Sequence, residues 1–183
     1  MITFASDRHK SALKAMWKIC FPADDNEFID FYFDSVYKNE ETPVYLIEDK
    51  PVASLQILPY SFKINDETFT AAYLSGVMTH PACRKCGYMN DLIKFTIKTA
   101  FECGFDYSFL LPQEKWLFEF YEKFGFATCK QVESNVTLQL EKHTAWILED
   151  FWDSGGVSLW TGMILRLNKN APEIQSFKIP VQE

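Results

Sequence analysis

The chain lacks four things, and each absence removes a class of function. No stretch approaches the roughly 18 continuous apolar residues that span a bilayer, and the opening MITFASDRHK has no apolar signal core. There is no excess of positive charge: 18 Lys and Arg stand against 25 Asp and Glu, a formal charge of -7, which disfavours a nucleic-acid surface built on phosphate contacts. The five cysteines are odd in number and irregularly spaced, unlike a secreted disulfide framework and compatible with a reducing cytoplasm. Internal repeats, low-complexity tracts and a recognisable linker are also missing.

What is present fits one globular domain over 1-183. A chain of 183 residues can bury roughly 70% of its unfolded surface. Hydrophobic residues make up 48% and aromatics 16%, with 17 phenylalanines, a composition suited to a sheet packed by helices. The organising stretch is Leu74 to Asn90, LSGVMTHPACRKCGYMN. Leu74 to Met78 reads as a strand that Thr79, His80 and Pro81 stop. A basic, glycine-bearing turn follows, Arg84-Lys85-Cys86-Gly87-Tyr88-Met89, and from Met89 apolar residues recur at helical spacing. The first amides of a helix have no intrahelical partner and carry partial positive charge, so this order suits an anion.

Around this stretch the chain reads in sequence. A short strand at Ile2 to Ala5 precedes a helix capped by Ser6 or Asp7, with Leu13, Met16, Trp17 and Cys20 on one face. A second helix starts at Asp24 or Asp25. Val44 to Ile47 and Val52 to Leu58 form a hairpin about a turn at Asp49-Lys50-Pro51, with Pro59 bending the second strand without necessarily ending it. Asn65-Asp66 turns the chain into the strand that delivers the basic turn. The next helix carries Met89, Leu92, Ile93, Thr96, Ile97, Ala100 and Phe101 on its apolar face and stops at Gly104. Phe105 to Leu111 reads as a buried strand parallel to the one before the helix, a βαβ unit. A short helix with Leu117, Phe120, Tyr121 and Phe124 follows, stopped by Gly125, then a strand near Val132 to Leu140. Ala145 to Trp152 reads as a helix and Ser158 to Leu167 as a last strand.

The run from Val77 to Met89, with the following helix, the strand to Leu111 and Phe120-Tyr121-Glu122-Lys123-Phe124-Gly125-Phe126, resembles the GNAT (Gcn5-related) N-acetyltransferase superfamily. The resemblance covers about three quarters of the chain, Ile2 to Leu140, and extends to the acetyltransferase half of enhanced-intracellular-survival type proteins. Arg84 and Gly87 match the family's Gln/Arg-x-x-Gly-x-Gly/Ala pattern, and Met89 departs at its last position while keeping its amide. The implied fold is α/β (α+β), a mixed, mostly antiparallel sheet with a central parallel βαβ splay flanked by helices. Residues 1-140 would form the core, and 141-183 would complete the sheet or the acceptor side.

The resemblance further implies acetyl-CoA as co-substrate, lying between the strands that end near Thr79 and Leu111. Backbone groups of Val77, Met78 and Thr79 would pair with the pantetheine arm. Arg84 and the amides of Lys85, Cys86, Gly87, Tyr88, Met89 and Asn90 would hold the pyrophosphate. An amide near Met78 would stabilise the oxyanion, a role worth about 3 kcal/mol. Tyr121 occupies the position of the group that meets the departing thiolate, although it also lies on the apolar stripe of its helix. Since a thiol titrates near 8.5 and tyrosine near 10, full proton transfer is uphill by about 2 kcal/mol, and hydrogen bonding is the safer role.

Several residues keep two readings. Glu114 stands where the family often has Asn, and is either a base or a first-turn glutamate favourable to the helix dipole. His80 is a base by type but sits at a strand end. Cys83-x-x-Cys86 lacks the second pair that a structural zinc needs, since Cys103 and Cys129 do not supply one; a redox thiol pair beside Arg84 and Lys85 is the other reading. Trp146, Trp152 and Trp160 either pack the last elements or line an acceptor pocket. The expected activity is direct transfer of acetyl to an amine, small-molecule or protein, in a ternary complex. The competing reading is an inactive CoA-binding module of the same fold. Nucleic acid, membrane and metal are not expected, and a homodimer is compatible with this reading.

Overall fold

The computed structural model describes residues 1–131, 136–139 and 161–177. In chain order the elements are β1 (Ile2–Phe4), α1 (Asp7–Cys20), α2 (Asn26–Phe31), β2 (Pro43–Ile47), β3 (Lys50–Ile64), β4 (Glu67–Thr79), α3 (Tyr88–Glu102), β5 (Tyr107–Leu110), α4 (Lys115–Glu122), β6 (Ala127–Gln131), β7 (Val136–Gln139), β8 (Thr161–Arg166) and β9 (Ser176–Phe177). This is the mixed α/β architecture expected, mostly antiparallel, with β4 and β5 joined in parallel through α3. The chain forms two compact units, Met1–Leu58 with Leu74–Thr99, and Pro59–Tyr73 with Ala100–Glu183. Both β3 and β4 pass from one unit into the other.

In the first unit, β1 pairs antiparallel with β2 (Ile2 opposite Tyr45), and β2 with β3 (Val44 opposite Ser54). The β2–β3 turn is Glu48-Asp49, both at positive φ (47° and 63°). It lies one step earlier than the Asp49-Lys50-Pro51 turn expected, because paired left-handed residues match the twist of a two-residue hairpin. Asp25 caps α2, its carboxylate accepting from the Phe28 amide at 2.7 Å. Tyr32–Val36 then continues α2 as a wider π-type turn. Helix α3 packs on the strands through Tyr88 against Tyr45 (ring centroids 4.6 Å) and Phe95 against Phe4 (6.0 Å).

In the second unit, β4 pairs in parallel with β5 at Ala71–Tyr107, Ala72–Ser108 and Tyr73–Phe109. All four β5 residues are buried, as a strand covered on both faces requires. β8 lies antiparallel to β5 and to β6, β7 pairs with the end of β3, and β9 adds to β6 in parallel. Of the strand expected near Val132 to Leu140, the described residues form β7 at Val136–Gln139, and β6 precedes that range. Alternation in ATCKQ is too short to register as a strand in sequence, and β9, of two residues, gives no periodic signal at all. The helix expected over Ala145 to Trp152, with Trp146, Trp152 and Trp160, lies outside the described residues.

Candidate functional site

The first unit holds the basic turn expected to bind an anion, the candidate cradle. Strand β4 is not regular along its length: Gly76 sits at φ +56° inside it, with the Trp17 indole against its α-carbon. A left-handed residue in a strand re-aims the residues that follow, here Val77, Met78 and Thr79. An isolated glycine in a strand pattern was the available signal for this close approach. The strand ends where the His80 amide donates to the Val52 carbonyl (2.9 Å). His80 Nδ1 accepts from the Ala82 amide (3.3 Å), so His80 caps the single 3-10 turn Pro81–Cys83. That engagement leaves it a structural role and weakens its candidacy as a base.

The loop beyond is arranged to expose amides. Arg84 is extended (φ -69°, ψ 157°), and Lys85 at φ +63° and Gly87 at φ +84° are left-handed, so the loop reverses direction sharply before α3. The Gly87 carbonyl accepts the first bond of α3, from the Asp91 amide (3.2 Å). The amides of Tyr88, Met89 and Asn90 therefore occupy the first turn, where no intrahelical acceptor exists. Residues 84–87 are exposed. A Cβ added at Gly87 would meet no atom within 4 Å, so the glycine serves the backbone angle and open access, not packing.

The Thr79 carbonyl has an unexpected set of partners. It accepts from Arg84 Nε at 3.3 Å and from the Cys20 thiol at 3.5 Å. The three residues tie the end of α1, the end of β4 and the basic turn together. The Thr79 carbonyl is thus already engaged within the first unit. Cys20 was invisible as a site neighbour in sequence, since it lies 59 residues away and reads only as part of an amphipathic helix. Burial raises the Cys20 thiol above its ordinary range, with Arg84 partly opposing the shift.

The second unit carries Tyr121 and Glu114. Tyr121 is 4% exposed, with Phe120 (5.1 Å) and Phe126 (6.0 Å) against its ring. Burial alone pushes its phenol well above the usual tyrosine range, because the charged form is the one that desolvation penalises. Glu114 is the residue just before α4, exposed, and its Oε2 accepts from Trp116 Nε1 at 2.6 Å. Its carboxylate is thereby engaged by a neighbour on the same short segment, which favours the structural over the basic reading. Gly125, at φ +89°, ends this segment as expected.

Solved structures of similar fold are numerous. A GCN5-related N-acetyltransferase from Anabaena variabilis is 24% identical, with a TM-score of 0.61 over 71% of this chain and 33% of its own, so the present chain spans about a third of that protein. Eis1 from Mycobacterium abscessus matches with a TM-score of 0.65 at 9% identity, over 91% of this chain and 51% of its own. A GNAT family acetyltransferase from Brucella melitensis, solved in complex with acetyl-CoA, matches with a TM-score of 0.60 at 12% identity, over 95% and 92% of the two chains. At these identities the likeness is one of fold. No curated protein matches the sequence significantly. The family model for the acetyltransferase (GNAT) domain, however, matches residues 2–129, a span that contains the cradle, the βαβ unit and the Tyr121 helix. The chain belongs to the GNAT acetyltransferase family.

Proposed function

We propose that the protein is an acyl-CoA-dependent N-acetyltransferase that moves the acetyl group of acetyl-CoA directly onto an amine within a ternary complex. The observation that carries this reading is the loop of Lys85 and Gly87, left-handed at both residues and opening onto the first turn of α3, in a chain of this family. Amides presented this way suit a pyrophosphate without needing a large positive patch, which reconciles the site with a formal charge of -7. The acetyl-CoA held by the Brucella protein of similar fold supports the same ligand.

In this reading Val77 and Met78 offer backbone groups to the pantetheine arm, and an amide near Met78 steadies the oxyanion when the amine attacks the thioester carbon. Collapse then breaks the carbon–sulfur bond and releases a thiolate. Tyr121 is the residue assigned to that thiolate, as a hydrogen-bond donor. Its raised pKa widens the gap to a thiol near 8.5 and makes complete proton transfer still less favourable. The same shift keeps the phenol protonated, and so able to donate, at every physiological pH. Only a neutral amine attacks, and an amine of pKa near 10.4 is neutral in about one molecule in a few thousand at pH 7, so the ammonium proton must leave to a base or to water.

A thermal-shift titration tests the reading. At a hundred times Kd, acetyl-CoA or CoA contributes about 2.7 kcal/mol, which raises the midpoint of a chain this size by roughly 5–10 °C. Absence of a shift with both ligands would remove the proposal. A shift with both, but no acetylated product by mass spectrometry across an amine panel, would replace it with the inactive binding module.

A further inference from the structure

The two cysteines of the cradle are not used by the function just proposed, and their geometry gives them a chemistry of their own. Cys83 closes the 3-10 turn Pro81–Cys83, and Arg84 and Lys85 are the central residues of the next turn. Arg84 has φ -69° and ψ 157°, and Lys85 has φ +63°. The two φ values are those of a type II turn, and a β-turn brings its end residues within about 7 Å of each other. The end residues are Cys83 and Cys86. A disulfide needs a Cα separation of about 4.4–6.8 Å, a span that the ends of a four-residue turn can meet. Type II turns ordinarily place glycine where Lys85 stands, so this left-handed arrangement is held against the usual preference of the side chain.

The sulfur atoms fit the same picture. Both thiols are free; Cys86 is exposed and Cys83 half-buried. Cys86 Sγ folds back over the turn, donating to the Arg84 carbonyl at 3.5 Å. Among the described residues no set of three His, Cys, Asp or Glu side chains is placed to hold a metal, so nothing there competes for the pair. We propose that Cys83 and Cys86 form a dithiol site that closes into a reversible intraloop disulfide by exchange with a low-molecular-weight disulfide.

The exchange balances in two steps. The exposed Cys86 thiolate attacks one sulfur of glutathione disulfide, forming a mixed disulfide and displacing one glutathione thiolate. Cys83, as thiolate, attacks the Cys86 sulfur of that mixed disulfide, forming the Cys83–Cys86 bond and displacing the second glutathione. Two protein thiols are oxidised, the two protons they give up are taken up by the two displaced glutathione thiolates, and one glutathione disulfide is thereby reduced to two thiols with no net proton release. The link to ligand binding rests on the reading of this loop as the CoA pyrophosphate cradle; formation of the bond does not.

The test is alkylation and peptide mapping of the full chain equilibrated in glutathione buffers of graded redox ratio. The expected result is a species in which Cys83 and Cys86 alone escape alkylation and are joined within one peptide, reverting on added reduced glutathione. Cys83→Ser should stop at a glutathione adduct on Cys86. Retention of both free thiols in oxidised glutathione would overturn the proposal, as would bridging through Cys20, Cys103 or a second chain. Adding acetyl-CoA, whose sulfur is blocked as a thioester, at ten times its measured Kd should slow the reaction about tenfold, since only the unliganded fraction exposes Cys86. Disulfide formation unaffected by bound acetyl-CoA would leave the dithiol site standing and refute instead the placement of the CoA moiety on this loop.

Discussion

Replacing Gly76 by alanine probes the local geometry on which the cradle depends. A Cβ built at Gly76 lies 2.6 Å from Trp17 Cζ3 and 3.0 Å from Cη2. Trp17 cannot retreat cheaply, because its ring packs against Tyr32 (4.8 Å), Phe21 (5.0 Å) and Phe33 (5.8 Å). Its Nε1 also donates to Asp24 Oδ2 at 2.7 Å. Two costs therefore add. Holding alanine at φ +56° costs about 1–2 kcal/mol, and forcing a methyl into a packed aromatic cluster costs about 1–3 kcal/mol. A loss near 3 kcal/mol lowers the thermal midpoint by roughly 6–12 °C. Urea unfolding should show a lower midpoint at unchanged slope. A double-mutant cycle with Trp17→Phe, which removes the two offending ring carbons, separates the costs. The double variant should be more stable than the sum of singles by the steric share, about 1–3 kcal/mol, while the backbone share persists. A Gly76→Ala change within about 0.5 kcal/mol of wild type, or a cycle without coupling, would refute the close-approach argument.

Two further outcomes follow from the titrating groups. Tyr121→Phe should lower kcat by about a hundredfold, the scale of losing one preorganised donor, and because burial raises the Tyr121 pKa the wild-type profile should show no alkaline limb from this residue below about pH 10; equal turnover by the two proteins in a steady-state assay would take Tyr121 out of the mechanism. Asp24 has a raised pKa, chiefly through burial, opposed by the Trp17 hydrogen bond and reinforced by Asp25. Its folded form therefore binds a proton more readily than its unfolded form, and its contribution to stability falls as pH rises through the window above 3.8. Asp24→Asn, which keeps an acceptor for Trp17, should raise the thermal midpoint at pH 7 and lose that advantage below pH 3.8; a gain that persists under acid would point to another cause.

The backbone plan was legible because local signals agreed with one another. Helix α3 shows a clear apolar face between a glycine-bearing turn and Gly104, and β5 is a short apolar run between breakers. Both signals come from residues close in sequence, and both elements form where those residues place them. The short strands β6 and β9 were not legible, since pairing with β8 and with each other holds them and no internal period does. The turn residues of the cradle were visible, but their dihedrals were not. Arg84-Lys85 reads as charge in the sequence, and only the fold shows that Lys85 is left-handed.

Arg84 shows most directly how a motif position can mean something other than its residue type suggests. As a cation in a presumed phosphate loop it reads as a direct ligand. Its Nε instead donates to the Thr79 carbonyl, at the point where β4 gives way to the loop, and the Cys20 thiol reaches the same oxygen from α1. A carbonyl has two lone pairs, and here both have partners, so the strand end is fixed from two directions before any ligand arrives. Fixing it sets where the following amides begin their turn, and in the proposed function those amides hold the pyrophosphate. Part of the arginine's role is then to hold the backbone that binds, with only the remaining N–H groups of its guanidinium open to a phosphate. Lysine, a flexible point charge without the planar fork, would keep the charge at this position and lose the tie to Thr79.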